Sequence, residues 1–230
     1  MSRIICIIGN KGGTGKTTLS HMLCQGLGLL GQRSACVLTD THREPLSPDG
    51  RRYVTADART PEALTKIVGK LRTMQGWVGV VDGGGNRAEV DRTLDGLADV
   101  VILPFRDSHE DLRTVLGDLQ QFPHAYALPS QWPTNAWQRD AADRNVAQLL
   151  GDYRDRLLNP VVSLSASKLL LQKHIPDGLP SNLANACRAL ARQVMEVVEI
   201  GDTDGAHAVS GTDAPVRASG PTGYEAAAHP

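Results

Sequence analysis

The stretch Gly9-Asn10-Lys11-Gly12-Gly13-Thr14-Gly15-Lys16-Thr17-Thr18 follows an unbroken apolar run, Arg3–Ile8, and precedes apolar residues at Leu19, Met22, Leu23, Gly26, Leu27 and Leu30. An apolar run of strand length without alternation suits a strand buried on both faces. The later spacing is one face of a helix, which Gly31 ends. A glycine loop between such a strand and such a helix brings main-chain N–H groups together at a helix N-terminus. Gly12, Gly13 and Gly15 let those groups turn inward with no Cβ in the way. This is the chemistry of a phosphate cradle, with Lys16 placed to reach β and γ phosphates and Thr17 to ligate Mg²⁺. The usual pattern has glycine five residues before Gly15, where this chain has Asn10, and the loop carries an additional cation, Lys11. Two lysines in one loop repel each other unless a strong anion sits with them.

Outward from the loop, strand and helix patterns alternate to about Ile200. Ala35–Leu38 is a second strand running into Asp40, and Thr60-Pro61-Glu62 is an N-cap with proline at the first helical position. Trp77–Val81 is an apolar strand ending at Asp82, followed by Gly83-Gly84-Gly85. Asn86 and Glu89 have capping-box spacing for the next helix. Val100–Leu103 is a strand stopped by Pro104, and Ser108 with Asp111 opens a helix to about Gln121. A strand near Ala125–Leu128, a helix over 138–157, a short strand at Val161–Ser163 and a helix over 181–198 complete the pattern. Strands separated by helices predict an α/β fold, a mostly parallel sheet flanked by helices of the P-loop NTPase type. Residues 1–200 form that domain. Residues 201–230 contain no Leu, Ile, Met, Phe, Trp or Cys and are expected to be a disordered Gly/Ala/Pro-rich tail.

The 230 residues hold 24 Lys+Arg against 25 Asp+Glu, a net charge of −1, and 4% aromatics. A global polybasic field and a base-stacking single-strand platform are therefore excluded. The tail carries a net −3 and leaves +2 on residues 1–200, so nucleic acid would meet a local patch. No run approaches the ~18 apolar residues of a membrane span. Cys6, Cys24, Cys36 and Cys187 form no CxxC and sit in apolar stretches, as small buried thiols do in a reduced compartment. With a strand at the very start and no leader pattern, the expected location is the cytoplasm. The seven histidines form no HExxH.

The loop resembles the deviant Walker A motif, Lys-Gly-Gly-x-Gly-Lys-Thr-Thr/Ser, of the ParA/MinD family of P-loop ATPases. The resemblance is carried by residues 1–45, continues to about 115 and fades beyond. It implies ATP and Mg²⁺ as cofactors, with the nucleotide on Lys11, Gly12, Gly13, Thr14, Gly15, Lys16, Thr17 and Thr18. It also implies that Lys11 reaches the ATP of a partner subunit in a homodimer. Asp82 resembles the family's Walker B aspartate, serving Mg²⁺ with Thr17. The family's Asp-x-Asp-Pro-Gln segment is altered. An ungapped count puts Asp40 on the second aspartate, which orients the attacking water, and Leu38 on the first. A shifted register puts Asp40 on the first and His42 on the second. Lys11, Lys16 and Asp40 are thus the expected catalytic set. Pro104-Phe105-Arg106-Asp107-Ser108 with Asp111-Leu112 resembles the family's Pro-x-x-Pro-Ser-x-x-Asp-Leu segment. The expected adenine-contacting asparagine is not evident where Pro129-Ser130-Gln131 stands.

The family reading is a positioning ATPase. ATP drives dimerisation and nonspecific binding of nucleoid DNA, and a ParB-like protein or cargo adaptor stimulates hydrolysis, slow on its own, to reset it. The cargo would be a plasmid, a chromosome locus or an assembly such as a carboxysome. DNA contacts are expected from Lys168, Lys173, Arg188 and Arg192, within a wider set that includes Arg139, Arg144, Arg154 and Arg156, all interrupted by acids. The tail has no apolar face for membrane docking. With no cysteine between Cys36 and Cys187, metal-bridged relatives are disfavoured. Two alternatives stay open: an ATP-dependent carboxylate ligase of the dethiobiotin-synthetase type, and a nucleotide-gated adaptor with little turnover.

Overall fold

A computed structural model describes residues 2–40, 46–84, 88–176 and 178–209. The apolar runs form β1 (Arg3–Ile7), β2 (Arg33–Leu38), β4 (Trp77–Asp82), β5 (Val100–Phe105) and β6 (Ala125–Pro129), with a fifth partner, β3 (Val54–Asp57), at one edge. All pairings are parallel, in the order β3-β2-β4-β1-β5-β6. The helices are α1 (Lys16–Leu29), α2 (Pro61–Thr73), α3 (Ala88–Leu97), α4 (His109–Gln121), α5 (Ala136–Leu149) and α6 (Ser181–Val209). The predicted parallel α/β sheet is therefore present.

Each face of the sheet buries its own core. In β1, Ile5 and Ile7 point to a core completed by α1 and α6, including Leu23, Leu27, Leu183, Cys187 and Leu190. Ile4 and Cys6 point to a second core with Leu64 and Val68 of α2, Leu94 of α3, and Leu112, Val115 and Leu119 of α4. Alternation along a strand covered on both sides explains why the sequence shows an unbroken apolar run. Helices α1 and α6 touch so closely that a Cβ at Gly26 would lie 2.0 Å from the Cys187 carbonyl oxygen. All four cysteines are buried and unbridged.

The chain leaves β1 toward β2 on one side and leaves β4 toward β5 on the other. The carboxyl ends of β1 and β4 thus flank a topological switch point, where open α/β sheets bind ligands.

Several expectations need correction. Strand β5 does not stop at Pro104 but runs to Phe105. Its pairing with β1 ends at Ile7–Ile102, so the missing N–H of Pro104 is not owed to β1. Edge strand β3 carries no apolar run, because its four residues are exposed or half-buried. The helix expected over 138–157 is α5 plus a kinked 3₁₀ stretch, Gly151–Arg156. Val161–Ser163 makes only an isolated bridge, Trp132 with Val162, and a 3₁₀ segment follows over Ser165–Leu171. Helix α6 continues past 198 to Val209, since adding a turn to an existing helix costs little. The expected tail over 210–230, Thr41-His42, Gly85 and the Asn86 cap lie outside the described residues. Among the described residues, no helix is long and apolar enough to cross a membrane.

Candidate nucleotide site

The β1–α1 loop takes positive φ at Gly9 (136°), Gly13 (78°) and Gly15 (87°), conformations that favour glycine. Helices α2, α4 and α5 are each capped by a side chain, Thr60, Ser108 and Asn135 accepting from the N–H of Ala63, Asp111 and Gln138. The N-cap of α1 is the left-handed Gly15, with no side-chain bond. The first N–H groups of α1, and the positive end of its dipole, are thus left for an anion. Over them lies a cleft of about 380 Å³, lined by Gly12 through Thr18 with Asp40, Gly84 and Gln131.

Lys16 is 6% exposed, and its Nζ donates to the carbonyls of Gly9 (2.9 Å) and Lys11 (2.7 Å). Burial pulls its pKa below the ordinary lysine value, opposed by Asp91, Asp82 and Asp118. Asp82 closes β4 and is fully buried. Its main-chain oxygen accepts from Thr39 Oγ1 at 2.7 Å, and its Oδ1 from the Gly84 N–H at 3.4 Å. The hydroxyl of Thr17 and the carboxylate of Asp82 are hard oxygen donors at one end of the sheet, a set that fits Mg²⁺. Asp40 borders the cleft two residues beyond Leu38, which pairs with Asp82. The position of the family's first aspartate is therefore a half-buried strand leucine in the ungapped register.

Lys11 does not line this cleft. Its Nζ donates to Glu110 Oε1 of α4 at 2.5 Å, and it borders a separate hollow with Asn10, Gly12, Glu110 and Thr114. Beyond Gln131 a second cavity, about 460 Å³, shares Thr14, Gly15, Thr18 and Gln131 with the cleft. Leu19 and Met22 of α1 form one wall, and residues 161–168 with Leu171 the other. Ser130, 1% exposed, joins the two walls: its Oγ donates to Thr14 O (2.6 Å) and lies 3.1 Å from Phe105 O. Gln131, at φ 52°, donates through Nε2 to Gly13 O at 2.9 Å. Arg51 ties down the 3₁₀ wall by donating to Leu170 O (2.8 Å) and Gln172 O (2.5 Å). Together the cleft and the cavity have the size and mixed lining of a small-molecule site.

Sequence reasoning missed four residues here. Asp118 of α4, 5% exposed, accepts from the Asn10 N–H and Nδ2, and Asp91 of α3, 2% exposed, accepts from the Gly9 N–H at 3.3 Å. Glu110 and Gln131 are the others. The signal for Asp118 was present, since it occupies the apolar stripe of α4 with Leu112, Val115 and Leu119.

The expected DNA-contacting residues are not gathered into one patch. Lys168 is exposed but borders the second cavity, beside the nucleotide cleft. Lys173 is exposed just after the 3₁₀ segment. Arg188 and Arg192 share a face of α6, where Arg188 bonds Asn185 Oδ1 at 3.1 Å. Arg156 holds the carboxyl end of α4 through the carbonyls of Leu119, Phe122 and Pro123, and Arg139 bonds Pro133 and Thr134 carbonyls. Arg106, by the Pro104 segment, pairs with the buried Asp111 at 2.8 Å.

The sequence matches the family described as the CobQ/CobB/MinD/ParA nucleotide binding domain over residues 5–210. Among curated proteins no sequence matches. The fold is similar to the MinD cell division protein of Aquifex aeolicus, with 16% identity, TM-score 0.66, and coverage of 84% of this chain and 97% of that one. It is similar to MinD of Pyrococcus horikoshii complexed with Mg-ADP, with 16% identity, TM-score 0.62, and coverage of 87% and 99%. It is also similar to a Cyanothece McdA–ATP complex, with 14% identity, TM-score 0.58, and coverage of 84% and 96%. With a family match spanning nearly the whole chain, laid over a glycine loop that leaves a helix N-terminus free for an anion, the protein belongs to the CobQ/CobB/MinD/ParA nucleotide-binding family.

Proposed function

We propose that this chain is a ParA-type positioning ATPase: ATP-bound homodimers bind nonspecific DNA, position or partition a cargo, and are reset by partner-stimulated hydrolysis. The observation that carries the reading is the placement of the two lysines. Lys16 is buried on its own loop, under its own cleft, whereas Lys11 stands outside that cleft and faces away from it. A cation held outside the subunit's own site is placed to serve a nucleotide bound in another copy.

On this reading the phosphates of ATP take the free N–H groups of α1, and Lys16 exchanges its two loop carbonyls for phosphate oxygens. The base and ribose enter the cavity beyond Gln131. Mg²⁺, held through Thr17 and Asp82, supplies neutralisation of phosphate charge. Asp40 orients the attacking water, and Lys11 of the second copy completes the site. The ATP form is cytoplasmic and nucleoid-associated, its release is triggered by a ParB-like protein or cargo adaptor, and no membrane is involved.

The test is binding to random-sequence duplex DNA with ADP and with ATP, for wild type and Lys11→Ala, alongside light scattering. Binding that needs ATP, disappears in Lys11→Ala and weakens steeply with salt supports the reading. Indifference to DNA in both nucleotide states overturns it and directs attention to small carboxylate substrates.

A further inference from the structure

We infer that Asp118 is a positioning residue for nucleotide binding, acting through Asn10, the residue that stands where the usual phosphate-loop pattern has glycine. Both of its oxygens grip that one residue: Oδ2 accepts the Asn10 main-chain N–H at 3.2 Å, and Oδ1 accepts Asn10 Nδ2 at 2.6 Å. A carboxylate with 5% exposure must be compensated by hydrogen bonds and nearby positive charge, and the Asn10 pair together with the field of Lys16 provides both. Glycine at position 10 could supply only one of the two bonds, which gives the departure from the usual pattern a physical reason.

The neighbouring residue is built around the same contact. A Cβ on Gly9 would come within 3.4 Å of Asp118 Oδ2, and the Gly9 N–H is taken by Asp91. The first two N–H groups of the loop are thus held from behind by buried acids on α3 and α4, while those at the start of α1 stay free for phosphate. Helix α4 also carries Glu110, about two turns before Asp118, on which Lys11 rests. That pair is exposed at Glu110 and weak, so the Lys11 side chain can leave it. The Asn10 clamp is buried and keeps the main chain beside Lys11 fixed while the side chain moves. The first consequence, tighter nucleotide binding, needs only the family assignment. The second, alignment of Lys11 toward another copy, rests on the proposed dimer.

The experiment uses the full chain with fluorescent ADP and Mg²⁺, and light scattering with ATP, below the melting temperature of every variant. The variants are Asp118→Ala, Asn10→Ala, the two combined, and the exchange Asn10→Asp with Asp118→Asn. Asp118→Ala is expected to weaken ADP binding about tenfold, the scale of a charge-assisted hydrogen bond. Asn10→Ala should weaken it about threefold, and the combined variant no more than Asp118→Ala alone, because one contact is lost twice. The exchange keeps a side-chain donor and acceptor between the two positions and should recover most of the affinity. Variants that melt earlier yet bind ADP as wild type does would reduce the clamp to a structural brace and overturn the inference. Additive losses, or no recovery on exchange, would overturn it too. Should Asp118→Ala fail to fold, Asn10→Ala and the exchange decide the question. If wild type fails to associate with ATP, the dimer reading falls while the ADP measurement still judges Asp118.

Discussion

The phosphate loop, residues 9–18, and the wall opposite it, residues 130–171, face each other across one site and are held in different ways. The loop is set by local chemistry: glycines at positive φ, a helix that starts without a side-chain cap, and a lysine folded onto its own loop carbonyls. The wall has almost no regular structure. It is one isolated bridge, a 3₁₀ segment and a set of side-chain bonds from distant places, Ser130 to the loop and Arg51 to Leu170 and Gln172. Phosphate is recognised by main-chain N–H groups that any glycine loop of this shape supplies. The other half of a nucleotide needs a shaped cavity, which many chain segments can build together. The contrast teaches that the charged half of the site tolerates little change and the cavity half tolerates much.

Three substitutions break or sharpen that contrast. Lys16→Ala strikes the loop and should lower ATP turnover by ~10³-fold, as expected for loss of a donor aimed at developing charge. Steady-state phosphate release measures it, and a loss under tenfold would mean that the loop does not dominate. Ser130→Ala cuts the link between the halves. It deprives two buried carbonyl positions, Thr14 and Phe105, of their hydroxyl neighbour, and should cost ~2 kcal/mol in urea unfolding. Nucleotide affinity should fall with it, since the Thr14 carbonyl belongs to the loop. Lys168→Ala tests the wall alone. Its charge is exposed at the cavity edge, so ADP affinity should change about threefold or less, the range of a screened surface charge. A larger loss would show that the wall binds by charge as the loop does.

Much of this was legible in the chain. The unbroken apolar run of β1 and the glycine loop behind it imply a parallel sheet, because only a strand covered on both faces can afford such a run. Thr60 and Ser108 announced their helices through side chains that cap locally. Where the reading stopped, the cause was distance along the chain. Helix α5 ends at Leu149 although a helical pattern seems to continue, and Val161–Ser163 pairs at one residue only, because the partner is the bend at Trp132. Strand β3 is an exposed edge strand with no apolar burden to reveal it.

The sequence by itself determined the family's phosphate cradle and the parallel sheet beneath it, since both follow from the φ freedom of glycine and the periodicity of burial. Tertiary structure alone decided where Lys11 points, that Lys168 borders the nucleotide cavity, and that Asp118 holds Asn10. Those contacts join residues about a hundred positions apart or more, and hydrogen bonds of that reach exist only once the two cores have packed the sheet between its helices.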